Sequence, residues 1–402
     1  MPMVHLGIIF LSIVALLVLR RPLYQAILGG LAATALLCHM HPITAFGQAI
    51  KVFANWDSLS VLVSIYLITY LQRMLEAKNL LKLAQEDLDG LFHNRRINAA
   101  GSALFIGLLP SAAAMVLCGE IVKDATEGYL KPKEQAFVTT WFRHIPESTL
   151  PTYASVLLMA NMSCVPLGDY IAAMAVPVIV LLLLGYFPYL RRIPKNPGMP
   201  GSESRWKGLA HLFLHLWMLV ALLLLILACK LPVVPAVFAV LVLSGAVYRF
   251  RLQELRQMLF SAFEAELLLN TFLVLALKEF IAYAGMLEEI PRTLSSLPIP
   301  SYFVFALLFF VGGAVSGTNG IIAMGAPLAF AAMDGGVSLM VILMCMCHAA
   351  SQVSPTHVCL TVASNYFRVP LGGLIGKTLP RALAFGIFAL GYYHALCALG
   401  IP

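Results

Sequence analysis

Apolar segments long enough to cross a membrane follow one another along almost the whole chain. They lie near residues 4–19, 24–39, 59–76, 134–163, 168–189, 209–229, 232–248, 263–286, 337–365 and 371–398, and the segments at 134–163 and 337–365 are interrupted. About 20 apolar residues in a helix span the hydrocarbon core of a bilayer. In lipid only helices and closed barrels leave no backbone group unsatisfied. The expected fold class is therefore an all-α polytopic membrane protein. Composition agrees, because 60% of residues are hydrophobic and only 11% charged, against about 25% charged in soluble domains. That scarcity of charge excludes a soluble enzyme of ordinary make-up, a disordered chain, a secreted disulfide scaffold and a single-span anchor. The net charge of +7 then reads as basic cytoplasmic loops, with no nucleic-acid partner.

Arg20 and Arg21 follow the first apolar run instead of preceding it. A signal peptide has its positive charge first, so residues 4–19 read as a first span of a protein of the cell (inner or plasma) membrane. Two segments, 97–119 and 302–332, are too long for loops and too rich in Gly, Pro, Ser and Asn for plain spans. Re-entrant hairpins fit them better. With both counted as hairpins, the basic stretches 20–21, 73–96, 123–133, 191–207, 249–256 and Arg368 share one side, which is expected to be cytoplasmic. Each half then has five spans and one hairpin, with both termini outside.

An internal repeat sharpens the expectation. At a shift of 204 residues His144 falls on His348, Pro151 on Pro355, Thr152 on Thr356 and Asn161 on Asn365, and Val165-Pro166-Leu167-Gly168 falls on Val369-Pro370-Leu371-Gly372. At a shift of 205, Phe105, Gly107 and Ser111 meet Phe310, Gly312 and Ser316. The domain reading is residues 1–190 as a first repeat, 191–208 as a cytoplasmic linker and 209–402 as a second repeat. An odd number of spans per half makes the repeats inverted. Inverted repeats with broken helices are typical of secondary transporters.

Three constellations stand out as places for a substrate or ion. The first is the pair of hairpin tips. Pro110 and Ser111 mark one, and Ser316-Gly317-Thr318-Asn319-Gly320 marks the other, where polar groups are costly in lipid without a partner. The second is Arg143-His144-Ile145-Pro146-Glu147, followed by Pro151. Here prolines interrupt a helix and ionisable groups stand at membrane depth, where they are usually functional. Glu147 is a candidate for proton or Na⁺ uptake, and Arg143 for pairing with Glu147 or a substrate carboxylate. The third is Ser354-Pro355-Thr356-His357, in which His357 is a candidate proton carrier or substrate donor. No catalytic residue is assigned. Eight cysteines in apolar surroundings read as packing groups, and Cys345-Met346-Cys347-His348 lacks a second ligand cluster, so no metal site is expected.

The run Ser354-Pro355-Thr356-His357-Val358-Cys359-Leu360, then Asn365-Tyr366-Phe367, with Arg143-His144-Ile145-Pro146-Glu147 in the first half, resembles an integral-membrane family known as a domain of unknown function. That family is grouped in the ion transporter superfamily with dicarboxylate–sodium, citrate, gluconate and arsenite carriers. The resemblance implies two inverted repeats, a scaffold and a mobile transport subdomain bearing the hairpins, an elevator-type motion and a homodimer. Dicarboxylate relatives have Ser-Asn-Thr at both tips. Here the second tip has Ser316, Thr318 and Asn319, but the first has no Asn, which favours proton coupling over a symmetrical pair of Na⁺ sites.

The expected function is a secondary active transporter, not an enzyme. It moves a small anionic organic solute by alternating access, coupled to H⁺ or Na⁺. Na⁺ as coupling ion is the one cofactor considered, and membrane lipid and the solute are the expected partners. No Gly-x-x-x-x-Gly-Lys-Ser/Thr motif occurs, so ATP does not drive it directly. Two alternatives remain open. One is an intramembrane hydrolase or acyltransferase using Ser351 or Ser354 with His357. The other is a metal-ion carrier or channel using His144, His348, His357 and Cys347.

Overall fold

The computed structural model describes residues 2–401 except 81, 85–86, 88–93, 109–113, 196–204, 287–297 and 334, and, within it, all but the side chains of residues 2, 3, 114, 205 and 207. All regular structure among the described residues is helical. The first half contains α1 (Pro2–Val18), α2 (Leu23–Leu37), α3 (Pro42–Ala54) and α4 (Trp56–Ala77). It continues with α5 (Arg95–Ile106), α6 (Ala114–Thr126), α7 (Pro132–His144), α8 (Ala154–Ser163), α9 (Leu167–Ala173) and α10 (Ala175–Tyr186). The second half contains α11 (Arg205–Leu227), α12 (Val233–Val247), α13 (Leu252–Ser261) and α14 (Ala265–Tyr283). It ends with α15 (Ser301–Ala332), α16 (Val337–Ser351), α17 (Val358–Tyr366) and α18 (Leu371–Ala398).

The order of elements in the first half recurs in the second, and so do the places where helices stop. A residue in the left-handed conformation ends a helix by turning the chain away from it. Such residues come in pairs at corresponding places: Arg20 and Lys230, His39 and Arg249, Asn79 and Gly285, Cys164 and Arg368. Seven of these have no glycine's freedom at positive φ, so the turn is imposed by the helices that follow. Packing is reciprocal as well. α4 lies on α12 and α2 on α14; α6 lies on α17 and α15 on α8; α7 lies on α18 and α9 on α16.

α15 is not one rod. Gly317 adopts φ 74° and ψ 166° inside it, and the two arms double back. A Cβ at Gly325 would stand 2.6 Å from the Phe309 ring, and one at Gly312 would meet Ile321 at 2.5 Å. Sixteen residues of straight helix would put residues 309 and 325 about 24 Å apart. α5 and α6 also lie side by side, while their connecting tip, with Pro110 and Ser111, falls outside the described residues.

Two helices were not expected from hydropathy. α3 and α13 are short, and each precedes a long apolar helix; α13 meets α14 at a 52° bend. α3 turns Ile43, Phe46, Ile50 and Phe53 outward while Gln48 and Val52 are buried. That stripe is what an amphipathic helix lying along a membrane interface presents. Segment 168–189 is also divided, into α9 and α10 at Met174. Trp56–Ala77, Leu167–Tyr186, Gly208–Leu227, α15 and α18 are long and apolar enough to cross a membrane, and α1, α2, α8, α12 and α16 are shorter apolar helices.

Candidate functional site

Both interrupted segments break where prolines remove backbone donors. α7 ends at His144, a single 3-10 turn covers Pro146–Ser148, and α8 starts after Tyr153. α16 ends at Ser351 and α17 starts after His357. The tip of α15 closes over the second break, because the Ser354 hydroxyl donates to the Ala314 carbonyl at 2.7 Å and stands 2.9 Å from Thr356 Oγ1. Between these three interruptions lies a cavity of about 1080 Å³.

Three helix N-termini face this cavity. They are the starts of α8 and α17, neither with a capping side chain, and the second arm of α15 from Gly317. An N-terminus concentrates free N–H groups and partial positive charge. Arg143, Glu147, Thr152, Tyr153 and Ser155 line the wall beside the first break, and Ser351, Ser354, Thr356, His357 and Cys359 the wall beside the second. Ser316, Thr318 and Asn319 form the hairpin wall. Across from them stand α4 (Ile65, Ile68, Thr69, Gln72) and the start of α14 (Glu264, Leu267). The cavity reaches the surface at the exposed Arg20 and Arg21.

Its floor is an ionisable cluster. His144 is fully buried, and its Nε2 is 3.0 Å from Nε2 of His357. Glu147 Oε2 lies 3.8 Å from the first of these nitrogens and 4.0 Å from the second. Arg143, 3% exposed, points Nη1 at Cys359 Sγ, 3.4 Å away. Asn319 Oδ1 and Thr152 Oγ1 are buried and have no hydrogen-bond partner among the described residues, so both can accept from, or coordinate, a guest.

Of the residues singled out in the sequence, Arg143, Glu147, Ser316, Thr318, Asn319, Ser354, Thr356 and His357 line this one cavity. His144 lies directly behind the wall, and Ser111 is outside the described residues. Pro146 starts the 3-10 turn, Pro151 lies in the turn before α8, and Pro355 stands in the gap after α16. Gly317 makes the hairpin bend, and at Gly320 a Cβ would stand 3.0 Å from that of Ser316. Ser351 donates to the His348 carbonyl. No hydrogen bond between Ser351 or Ser354 and an imidazole occurs among the described residues. The Cys345–Cys347 run is buried in α16.

Sequence reasoning missed Tyr153, Cys359, Gln72 and Glu264. Tyr153 had a usable signal, since it falls on His357 at the shift of 204. Its hydroxyl donates to the Gly107 carbonyl, joining the first hairpin arm to the break. His348, the repeat mate of His144, is held away from the cavity by Ser148 at 3.0 Å and Gln352 at 3.2 Å.

Comparison with known proteins follows the fold. A family described as "Protein of unknown function (DUF401)" matches residues 4–393. No curated protein matches the sequence. Among solved structures the chain is similar to the Alcanivorax borkumensis YdaH transporter, whose crystal structure is described as revealing an unusual topology. The TM-score is 0.63 at 14% identity, over 99% of each chain. At that identity the likeness is one of fold, and with the apolar helices it marks a multi-pass membrane protein.

Proposed function

The chain belongs to the DUF401 family, and we propose that it is a secondary active transporter. It moves a small anionic organic solute across the cell membrane by alternating access, driven by H⁺ or Na⁺. The observation that carries this reading is the convergence of three helix N-termini, two of them without a capping side chain, and Arg143 on one cavity that also holds Glu147. Free amides and a guanidinium form a receptor for a carboxylate or similar anion. A carboxylate beside two imidazoles at the same place can take up a proton, or help hold Na⁺, when the anion binds.

The duplicated architecture supports alternating access. Paired left-handed stops and reciprocal packing are what two related halves produce. If the halves are inverted, the same rearrangement opens the site to either side in turn. α15, α16 and α17, with their first-half counterparts α5 to α8, would form the mobile body. α1 to α4 and α11 to α14 would form the scaffold, in an elevator-type motion within a homodimer. Arg20 and Arg21 at the cavity mouth support a cytoplasmic open side under the positive-inside rule.

The same architecture supports grouping the chain with the ion transporter superfamily. The test is uptake into proteoliposomes of a panel of carboxylates and other small organic anions, under an imposed pH gradient or an imposed Na⁺ gradient. Accumulation that follows one gradient supports the reading. Indifference of every anion to both gradients sinks the coupling.

A further inference from the structure

His144, His357, Cys359 and Glu147 come from two interruptions more than 200 residues apart, yet their side chains converge on one point. One ring nitrogen each of His144 and His357 and Sγ of Cys359 all lie within 4.8 Å of one another. The two nitrogens are 3.0 Å apart, and Glu147 Oε2 is 3.8 and 4.0 Å from them. Zn–N and Zn–S bonds are about 2.0–2.3 Å, so donors around one tetrahedral ion stand roughly 3.3–3.8 Å apart. The observed spacings bracket that range. We propose that these four side chains form a binding site for a single soft divalent transition-metal ion of the zinc class.

The donor set decides the class of ion. Two imidazoles and a thiol suit Zn²⁺, Co²⁺, Ni²⁺ or Cu²⁺, whereas Na⁺, Mg²⁺ and Ca²⁺ take oxygen ligands. The site is therefore distinct in kind from any Na⁺ site built on Asn319 and Thr152. Charge is also accommodated. Glu147 and a metal-bound Cys359 thiolate would together balance a divalent ion. His144 is fully buried at the end of α7, which fixes the first donor, and Glu147 and His357 open on the cavity, which gives the ion a way in. A bound ion ties the end of α7 to the start of α17, across the two halves, and engages Glu147. If transport runs through Glu147, as proposed above, the ion opposes it; the binding itself is independent of that reading.

The test uses the full-length chain, purified in detergent without a polyhistidine tag, stripped with chelator and titrated with Co²⁺. One equivalent should produce tetrahedral ligand-field bands together with a thiolate-to-cobalt charge-transfer band, and Zn²⁺ should displace it. Cys359→Ser should lose the charge-transfer band, and Cys347→Ser, deep in α16, should keep it. His357→Gln should weaken binding by more than the roughly 10–100-fold that changes outside the ligand shell produce. Absence of saturable binding by the wild-type chain overturns the proposal, as does a charge-transfer band that survives Cys359→Ser. Because Cys359→Ser is nearly isosteric and Cys359 lies at the cavity wall, it keeps the question answerable should His144→Gln fail to fold. Uptake measured with and without Zn²⁺ then tests inhibition separately, so that failure of transport and failure of metal binding are told apart.

Discussion

The Nε2 atoms of His144 and His357 stand 3.0 Å apart, although the two residues are 213 positions distant in the chain. They are not repeat mates. At the shift of 204, His144 corresponds to His348 and His357 to Tyr153. His144 meets the other half at the cavity floor, while His348 is enclosed by Ser148 and Gln352. The charged partners are equally one-sided, since Arg143 and Glu147 correspond to Cys347 and Ser351. The two breaks are similar in backbone, but the charged side chains lie at the first of them.

Glu147 is the carboxylate of this cluster, with a side chain 21% exposed to the cavity. Glu147→Gln keeps its size and removes its charge. The variant should fold like the wild type and bind solute, yet lose accumulation driven by a gradient, leaving only exchange or downhill flux. Proteoliposome uptake with imposed gradients measures this. Wild-type accumulation by the variant would remove Glu147 from the coupling step.

Arg143 presents a planar fork that a lysine cannot reproduce. Arg143→Lys retains the positive charge at the cavity, so long-range attraction of an anion survives. Loss of one charge-assisted hydrogen bond costs about 1.5–3 kcal/mol, so KM for the solute should rise roughly 10-fold or more. Unchanged KM in an uptake titration would place the anion elsewhere in the cavity.

Much of this cavity was legible because its ingredients are conspicuous in an apolar chain. Pro146, Pro151 and Pro355 interrupt segments that would otherwise be continuous helices, and Arg143 and Glu147 are rare charges within them. Ser-Gly-Thr-Asn-Gly at 316–320 stands out for the same reason. Cys359 and Glu264 were not legible, because their place depends on which helix ends pack together, and that is long-range information. Cys359 is indistinguishable in sequence from the cysteines that merely pack. α3 and α13 escaped notice because helices of 13 and 10 residues with a one-sided apolar stripe leave little trace in a hydropathy average.

Asn319 Oδ1 is buried at the hairpin tip with no partner among the described residues. Such an acceptor is costly unless a guest supplies a donor or a cation. Asn319→Ala removes that acceptor and should weaken binding of the solute or coupling ion by about 1 kcal/mol, roughly 5-fold, with little loss of fold stability. Binding titrations of the purified variant check this. Unchanged affinity for both would leave the tip with a packing role.

Gly107 ends the first hairpin arm at a point where the backbone of the break comes close. A Cβ there would run into the carbonyl oxygen of Arg143, and the Gly107 carbonyl accepts from Tyr153. The obstructing atom is backbone, which cannot rotate aside as a side chain does. Gly107→Ala should therefore push the arm off the break and destabilise the protein by about 1–3 kcal/mol, the range for overpacking. Gly376→Ala provides the control, because a Cβ at this exposed site in α18 meets nothing within 4 Å. In a helix that substitution is neutral or stabilising by up to about 1 kcal/mol. Thermal unfolding of both variants in the same detergent should show a lower midpoint for Gly107→Ala only. Equal midpoints would mean that the first hairpin is not held against the break by this contact, and that its hold on Arg143 lies elsewhere along α5 and α6.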